Sequence, residues 1–284
     1  YVVALIGNVW AWLNPWQVIF EWAEKIFGRR NPPFTWPVKL DAWPALAGFF
    51  LFAWIENSYT GSSRPFNLSF IIIIYSITTW IGMFLFGKHV WLKKADPFSV
   101  LFSLFSRFSP TEVRVGQTND ASVCQSCPSG CAINADLPDC VDCYDCWERA
   151  PRSSRKFILR PWASGLTRGD KVSTSLVAFH ITALATVTFD GLAETPAWVA
   201  IQTAVWPFID PLPGNAAATI KTLGILLVPA IFAAAYIYLC TLVSQFSGNR
   251  LAKNDVIHSF VFSLVPIALA YNLSHYVSFL LISG

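Results

Sequence analysis

The amino-acid sequence predicts an all-α protein, a polytopic transmembrane helical bundle of about six spans with a small Cys-rich, metal-binding loop. Three observations carry this expectation. The 284 residues are 54% hydrophobic and only 13% charged, about half the charge of a soluble domain, which leaves too little polar surface to cover a water-facing globule. The 20 Lys and Arg gather in alternate connections between apolar runs. Six of the seven Cys lie between Cys124 and Cys146. The 13 Trp add to the membrane signal, because indole favours the membrane–water interface. Basic residues that flank apolar spans are a membrane pattern, so nucleic acid is not an expected partner.

The spans follow from length. About 20 apolar residues cross a hydrocarbon core. Residues 1–13 read as the end of a truncated span stopped by Asn14-Pro15, since the chain opens at Tyr1 inside an apolar run and its single Met is Met83. The second span runs from about Trp43 to Ser58, and the third from Asn67 to Phe86. The fourth covers Ser173 to Gly191, the fifth Thr219 to Phe246 and the sixth Val256 to Leu281. Residues 97–108 are too short to cross and suit an amphipathic helix lying in the interface, as does Thr195 to Phe208. The domain plan is therefore 1–108 for the first three spans and the interfacial helix, 109–170 for the Cys-rich loop, and 171–284 for the last three spans.

Orientation follows from the basic residues. Lys25, Arg29, Arg30 and Lys39 precede the second span, twelve more lie between Gly87 and Val172, and Arg250 and Lys253 precede the sixth. Arg64 and Lys221 alone occupy the opposite connections. The split predicts an inner-membrane protein with the Cys-rich loop in the cytoplasm and the C-terminus outside.

The cysteine spacing is C-x2-C-x3-C-x8-C-x2-C-x2-C, formed by Cys124, Cys127, Cys131, Cys140, Cys143 and Cys146. Close Cys-x2-Cys pairs suit tetrahedral thiolate coordination, and two pairs, Cys124/Cys127 and Cys140/Cys143, suffice for one structural zinc ion. An iron–sulfur cluster also uses four thiolates. A disulfide framework is the third reading, but it needs an oxidising compartment and the charge count puts the loop in a reducing one. The segment has few large apolar residues, so metal binding would supply its folding energy. Asp136, Asp139, Asp142, Asp145 and Glu148 interleave or follow the ligands and read as groups that solvate the loop. Cys240 falls inside the fifth span and reads as a small buried apolar residue.

Ionisable groups inside spans are costly and mark candidate sites. Glu56, Asp190, Glu194 and His275 fall near the outer ends of the spans. Thr182, Thr186, Asp190 and Glu194 recur every four residues and share one helix face. Carboxylates and an imidazole at one depth would hold a second divalent metal, whose bound water ionises near neutral pH. A general-base role for one carboxylate is the other reading. Asp190 would alternatively fix helix packing through hydroxyl partners.

Several segments together resemble a known family. They are Asn14-Pro15-Trp16, W-P-A-x-x-x-F-x-x-F-A-W-x-E from Trp43 to Glu56, and F-G-x-x-x-W-L from Phe86 to Leu92. R-P-W-A-x-G-L follows from Arg160, then A-T-V-T-F-D-G-L-x-E-T-P-x-W from Ala185 to Trp198 and L-V-P-I-A-L-A-Y-x-L-x-H-Y from Leu264 to Tyr276. With D-C-V-D-C-Y-D-C-W-E-R-A from Asp139, they resemble bacterial fenitrothion hydrolase-like integral membrane proteins. The resemblance implies hydrolysis of ester or organophosphorus substrates and overlaps Glu56, Asp190, Glu194 and His275. Asn272 stands where the resemblance implies a second His beside His275. The alternative expectation is a non-catalytic membrane subunit of a larger redox or transport complex, with other membrane subunits as partners beside the lipid bilayer.

Overall fold

A computed structural model describes residues 2–28, 31–59, 61–62, 64–116, 123, 139–169, 172–211, 214–248 and 250–283. The side chains of 275, 276, 278–280, 282 and 283 lie outside that description. The chain divides into two compact units, one of 1–36 with 78–168 and one of 37–77 with 169–284.

The first unit opens with two one-turn helices, α1 (Val2–Leu5) and α2 (Trp10–Leu13). They replace the single span end that hydropathy suggests for residues 1–13. Gly7 separates them at φ +153°, and a Cβ there would fall 2.1 Å from Thr111 Oγ1. Only glycine lets the segment approach so closely, and the Thr111 hydroxyl donates to the Ile6 carbonyl beside it. Asn14-Pro15 then starts a helix instead of stopping one. In α3 (Pro15–Phe27), Pro15 takes the first position, and the Asn14 side chain accepts from the backbone N–H of Trp16 at 3.0 Å and of Gln17 at 3.3 Å. The unit continues through the last turns of α5 (Pro65–Phe86), then α6 (Lys88–Lys94) and α7 (Pro97–Ser106). Asp96-Pro97 repeats the start signal, with Asp96 accepting from Ser99 N–H at 2.8 Å. A three-stranded antiparallel sheet follows, ordered β2 (Cys140–Val141), β1 (Thr111–Val115), β3 (Arg155–Leu159). In its register Val115 faces Cys140 on one side and Arg155 on the other. The short helix α8 (Tyr144–Arg149) connects β2 to β3.

The second unit is helical: α4 (Trp43–Ser58), the start of α5, α9 (Thr174–Ala193), α10 (Pro196–Ile209), α11 (Ala216–Phe246), α12 (Lys253–Phe260) and α13 (Leu264–Ser283). Its centre is α9, which packs against α4, α11 and α13. More than half of its apolar window is buried by protein. Five contacts set the directions. Ala42 N–H donates to Ser175 Oγ at 3.2 Å, and Phe49 meets Phe179 at 5.2 Å, so α4 runs parallel to α9. Phe262 meets His180 at 5.4 Å, and the Tyr271 hydroxyl lies against Gly191, so α13 also runs parallel to α9. Trp54 Nε1 donates to Thr222 at 2.9 Å, which sets α11 antiparallel to α4. Phe189 and Trp198 form an edge-on pair 5.0 Å apart in a core with Ile220 and Ile225. Gly224 makes the space, because a Cβ there would lie 2.4 Å from the Phe189 ring and 2.6 Å from that of Trp198.

Among the described residues, four helical stretches are long and apolar enough to cross a bilayer: Pro65–Phe86, Thr174–Ala193, Ala216–Phe246 and Lys253–Ser274. The last includes α12, a 3-10 turn (Val261–Ser263) and the start of α13. The helix α4 has 16 residues, which at 1.5 Å each makes roughly 24 Å, short of a ~30 Å hydrocarbon core. Of the about six spans expected from hydropathy, four are matched by full-length apolar helices among the described residues. Protein buries only 17% of the apolar window of α5. Nine large apolar side chains stand exposed on it, from Phe66 through Ile72, Ile73 and Ile74 to Phe84. At roughly 2 kcal/mol each, keeping them in water would cost more than the whole stability of a typical domain, about 5–15 kcal/mol. The chain is therefore a membrane protein whose apolar helices face lipid.

Candidate metal centre

Cys140 lies on β2, Cys143 caps α8 and Cys146 sits in its first turn. A strand, a tight turn and a helix start thus carry the three sulfurs inward. The turn needs Asp142 at φ +51°, a left-handed conformation that Asp tolerates better than most residues. Asp142 is held there from three sides. Its N–H donates to Val113 C=O at 2.9 Å, its carboxylate accepts from Val113 N–H at 3.2 Å, and Arg168 pairs with it at 2.7 Å. Burial pushes the Asp142 carboxyl above its ordinary value, with the Arg168 guanidinium opposing that shift.

The sulfurs converge. Cys143 Sγ lies 3.3 Å from Cys146 Sγ, and Cys140 Sγ lies 3.9 Å from it. Ligands of a tetrahedral zinc ion with bonds of about 2.3 Å stand roughly 3.8 Å apart, whereas a bonded pair stands at about 2.05 Å. Cys140 is closed in a disulfide that includes neither Cys143 nor Cys146. Among the described residues, the core around them is formed by Val115, Val123 and Ala150, with Trp147 packed against it. Cys143 also lines a cavity of about 150 Å³, together with Trp10, His89, Asp142, Tyr144 and Asp145, which opens a path to the sulfur. Cys124, Cys127 and Cys131 lie outside the described residues, as does Asp136.

Two ion-pair networks hold this knuckle, and linear spacing revealed neither. The first centres on Lys88, whose side chain is 4% exposed. Its ammonium meets Glu21 at 3.0 Å, Glu24 at 3.5 Å and Glu148 at 3.0 Å. Burial acts to lower the Lys88 pKa, but the Glu148 and Glu21 carboxylates outweigh it and hold the group above its ordinary value. His89 bonds Glu148 at 2.7 Å, and Asp145 lies 3.6 Å from the same imidazole. The bond from His89, with Lys88 adding to it, holds the Glu148 carboxyl down at about 2 against the opposing effect of burial. The second network centres on Glu112, whose side chain is 1% exposed. It is paired with Arg114, with Arg160 and, at 2.8 Å, with Arg168. Arg168 bridges Glu112 to Asp142 and so couples β1 to the cysteine turn.

These networks correct the reading of the acids as solvating groups. Asp145 is buried and pairs with Arg149 at 3.0 Å. Asp139 pairs with Lys156 at 3.3 Å. Asp142 and Glu148 are the paired groups already described. The signal that sequence reading lacked is distance along the chain: Lys88 meets partners 60 and 67 residues away.

In the second unit, Glu56, Asp190 and Glu194 fall at the C-terminal ends of α4 and α9, while the backbone of His275 lies just past the middle of the parallel α13. Glu56 and Glu194 are exposed and Asp190 is half-buried; the His275 side chain lies outside the described residues. Among the described residues, no group of three or more His, Cys, Asp or Glu side chains is arranged to hold a metal ion. Thr186 donates to the carbonyl of Thr182, so this hydroxyl is satisfied within its own helix. Asn272 does the same with Ala268 C=O at 2.8 Å. Cys240 is buried, as expected of a small apolar side chain.

No protein-family model, curated protein or solved structure matches this chain.

Proposed function

We propose that this chain is a membrane protein whose cysteine segment holds one structural, thiolate-bound zinc ion on the cytoplasmic side, folding a small knuckle at the end of the α5 span. The two Cys-x2-Cys pairs in the sequence carry this reading, and the Cys140 and Cys143 sulfurs at 3.9 and 3.3 Å from that of Cys146 support it. A disulfide at Cys140 uses two sulfurs, yet the Cys146 sulfur also lies within 3.9 Å of those of Cys140 and Cys143. A shared metal accounts for all of them, with Cys140 as a thiolate in a reducing compartment. The energetics agree. The knuckle core is too small to fold by burial alone, whereas zinc binding to such segments supplies about 10–16 kcal/mol. The distribution of Lys and Arg supports the cytoplasmic side.

The test is elemental analysis of protein purified under reducing, anaerobic conditions. About one zinc per chain is expected, falling to near zero in Cys143→Ser and Cys146→Ser. Cysteine thiols should all titrate once the protein is denatured with a chelator. A cystine at Cys140 in the cytoplasmic protein, with no metal, would sink the reading. Iron with acid-labile sulfide would replace zinc by a cluster.

A second reading draws on the parallel course of α4, α9 and α13, which places Glu56, Asp190, Glu194 and His275 toward one end of the unit. In it, these residues hold a divalent metal and hydrolyse ester or organophosphorus substrates from the outer leaflet, the metal supplying hydroxide near neutral pH. Asp190→Asn should then abolish ester cleavage while leaving the zinc content of the cysteine segment unchanged. A wild-type protein that cleaves no ester and retains other membrane subunits through purification is instead a non-catalytic member of a larger complex.

A further inference from the structure

A cavity of about 340 Å³ lies in the first unit between α3 and the last turn of α5. It is more than twice the ~150 Å³ that accepts a benzene-sized guest and falls in the ~300–1,000 Å³ range of ligand pockets. Its walls are apolar, formed by Phe20, Ala23, Phe27, Met83 and Phe84, and it ends on Glu24 and Lys88. Trp80 Nε1 donates to Trp16 C=O at 3.2 Å and pins α3 to α5. The cavity therefore sits where an apolar span ends and charge begins. Ile19, Trp22, Ile26 and Phe27 stand exposed on α3, which suits a helix lying in the interface.

The charged lining, Glu24 and Lys88, selects the ligand. Lys88 is ringed by Glu21, Glu24 and Glu148, so three carboxylates face one ammonium. Among the described residues, Glu24 and Lys88 are the charged side chains that line the cavity, and Lys88 is already engaged by Glu21 and Glu148 at 3.0 Å. A cationic head would meet an acceptor. Glu24 is the loosest of the three partners at 3.5 Å, and it also lines the cavity, so its carboxylate is placed to accept from a ligand N–H. We infer that this cavity binds an amphiphilic amine, with the ammonium head on Glu24 and the apolar body along Phe20, Met83 and Phe84. The inference stands apart from the cysteine site and from the residues of α9.

The test uses the intact protein in a non-ionic detergent, with dodecylammonium as probe and dodecyl sulfate of equal chain length as control. Calorimetric titration should show dodecylammonium binding at least about tenfold more tightly, since one charge-assisted hydrogen bond corresponds to about ten- to a hundredfold in affinity. Glu24→Gln should remove that preference, and Ala23→Phe, which fills the cavity, should weaken binding of the probe. Both variants should keep the wild-type circular dichroism, because neither touches the tight Lys88–Glu21 and Lys88–Glu148 pairs. Native mass spectrometry from discs of mixed phosphatidylethanolamine and phosphatidylglycerol separates the sources. Retained phosphatidylethanolamine, lost in both variants, makes the ligand a membrane lipid, and its absence with dodecylammonium still bound makes it a free amphiphilic amine. Equal affinity for the two probes, or affinity unmoved by both variants, would overturn the proposal.

Discussion

The two units of this chain are held together by different physics. The first buries charge. Lys88 and Glu112 are almost fully enclosed, and each is neutralised by partners brought from distant parts of the chain. The second buries shape. Its hub helix α9 is fixed by ring contacts and by Gly224, whose missing side chain admits Phe189 and Trp198. The contrast has a plain cause. A segment with a core of a few small residues cannot gain enough from apolar burial, so it draws on ion pairs and, in our reading, on a metal. A helix among apolar neighbours has little hydrophobic force to separate it from lipid, so close packing must hold it.

Lys88→Met should have the largest effect on stability. It leaves three carboxylates facing one another without their cation, and removing one partner of a buried pair costs about 3 kcal/mol or more. Hydrogen exchange should rise in α6 and α8, while α9 stays protected. Loss of protection in α9 as well would break the contrast. Next in size is Gly224→Val. Overpacking costs about 2 kcal/mol, because Phe189 and Trp198 are buried and have no space to yield. The unfolding temperature in detergent should fall, while hydrogen exchange in α6 and α8 stays constant.

Two capping residues sharpen the comparison at smaller scale. Asn14 is buried and donates to Ser99 Oγ at 3.3 Å as well as capping α3. Asn215 is exposed and caps α11 through Ala218 N–H at 3.2 Å. Asn14→Ala should cost about 1 kcal/mol or somewhat more, and Asn215→Ala less, read as the difference between their unfolding temperatures. The smallest expected effect is acid sensitivity. Glu148 is held down from 4.5 to about 2 in the folded protein, so its contribution is present above pH 4.5 and lost as pH falls toward 2. Its side chain is 38% exposed, and solvent screening leaves a few tenths of a kcal/mol. Glu148→Gln should flatten the acid limb of the stability profile slightly, a change seen by comparing midpoints at pH 5 and pH 3.

Much of the helical plan was legible along the chain, because hydropathy and cap signals act over neighbouring residues. The runs that become α5, α9 and α11 are apolar for longer than any alternative explains. The short α7 (Pro97–Ser106) and α10 (Pro196–Ile209) fall on the stretches expected as interfacial helices, 97–108 and Thr195 to Phe208. Reading failed where a local signal has two meanings. Asn14-Pro15 stops a helix or starts one, and Ser99, 85 residues away, helps to settle it. The segment from 1 to 13 is apolar enough for a span end, yet Gly7 breaks it against Thr111.

The sequence by itself determined that this protein lives in a membrane, where its long helices run and that six cysteines share one short segment. Composition, periodicity and spacing decide those matters, since each depends on residues adjacent in the chain. Only the tertiary structure decided that Lys88, counted along the chain as one more basic residue, is a buried hub, that Glu24 ends an apolar cavity, and that Glu56, Asp190 and Glu194 fall toward one end of a parallel set of helices. Those outcomes depend on which distant segments meet. Burial in low dielectric then turns an ordinary charge into a group that must be paired.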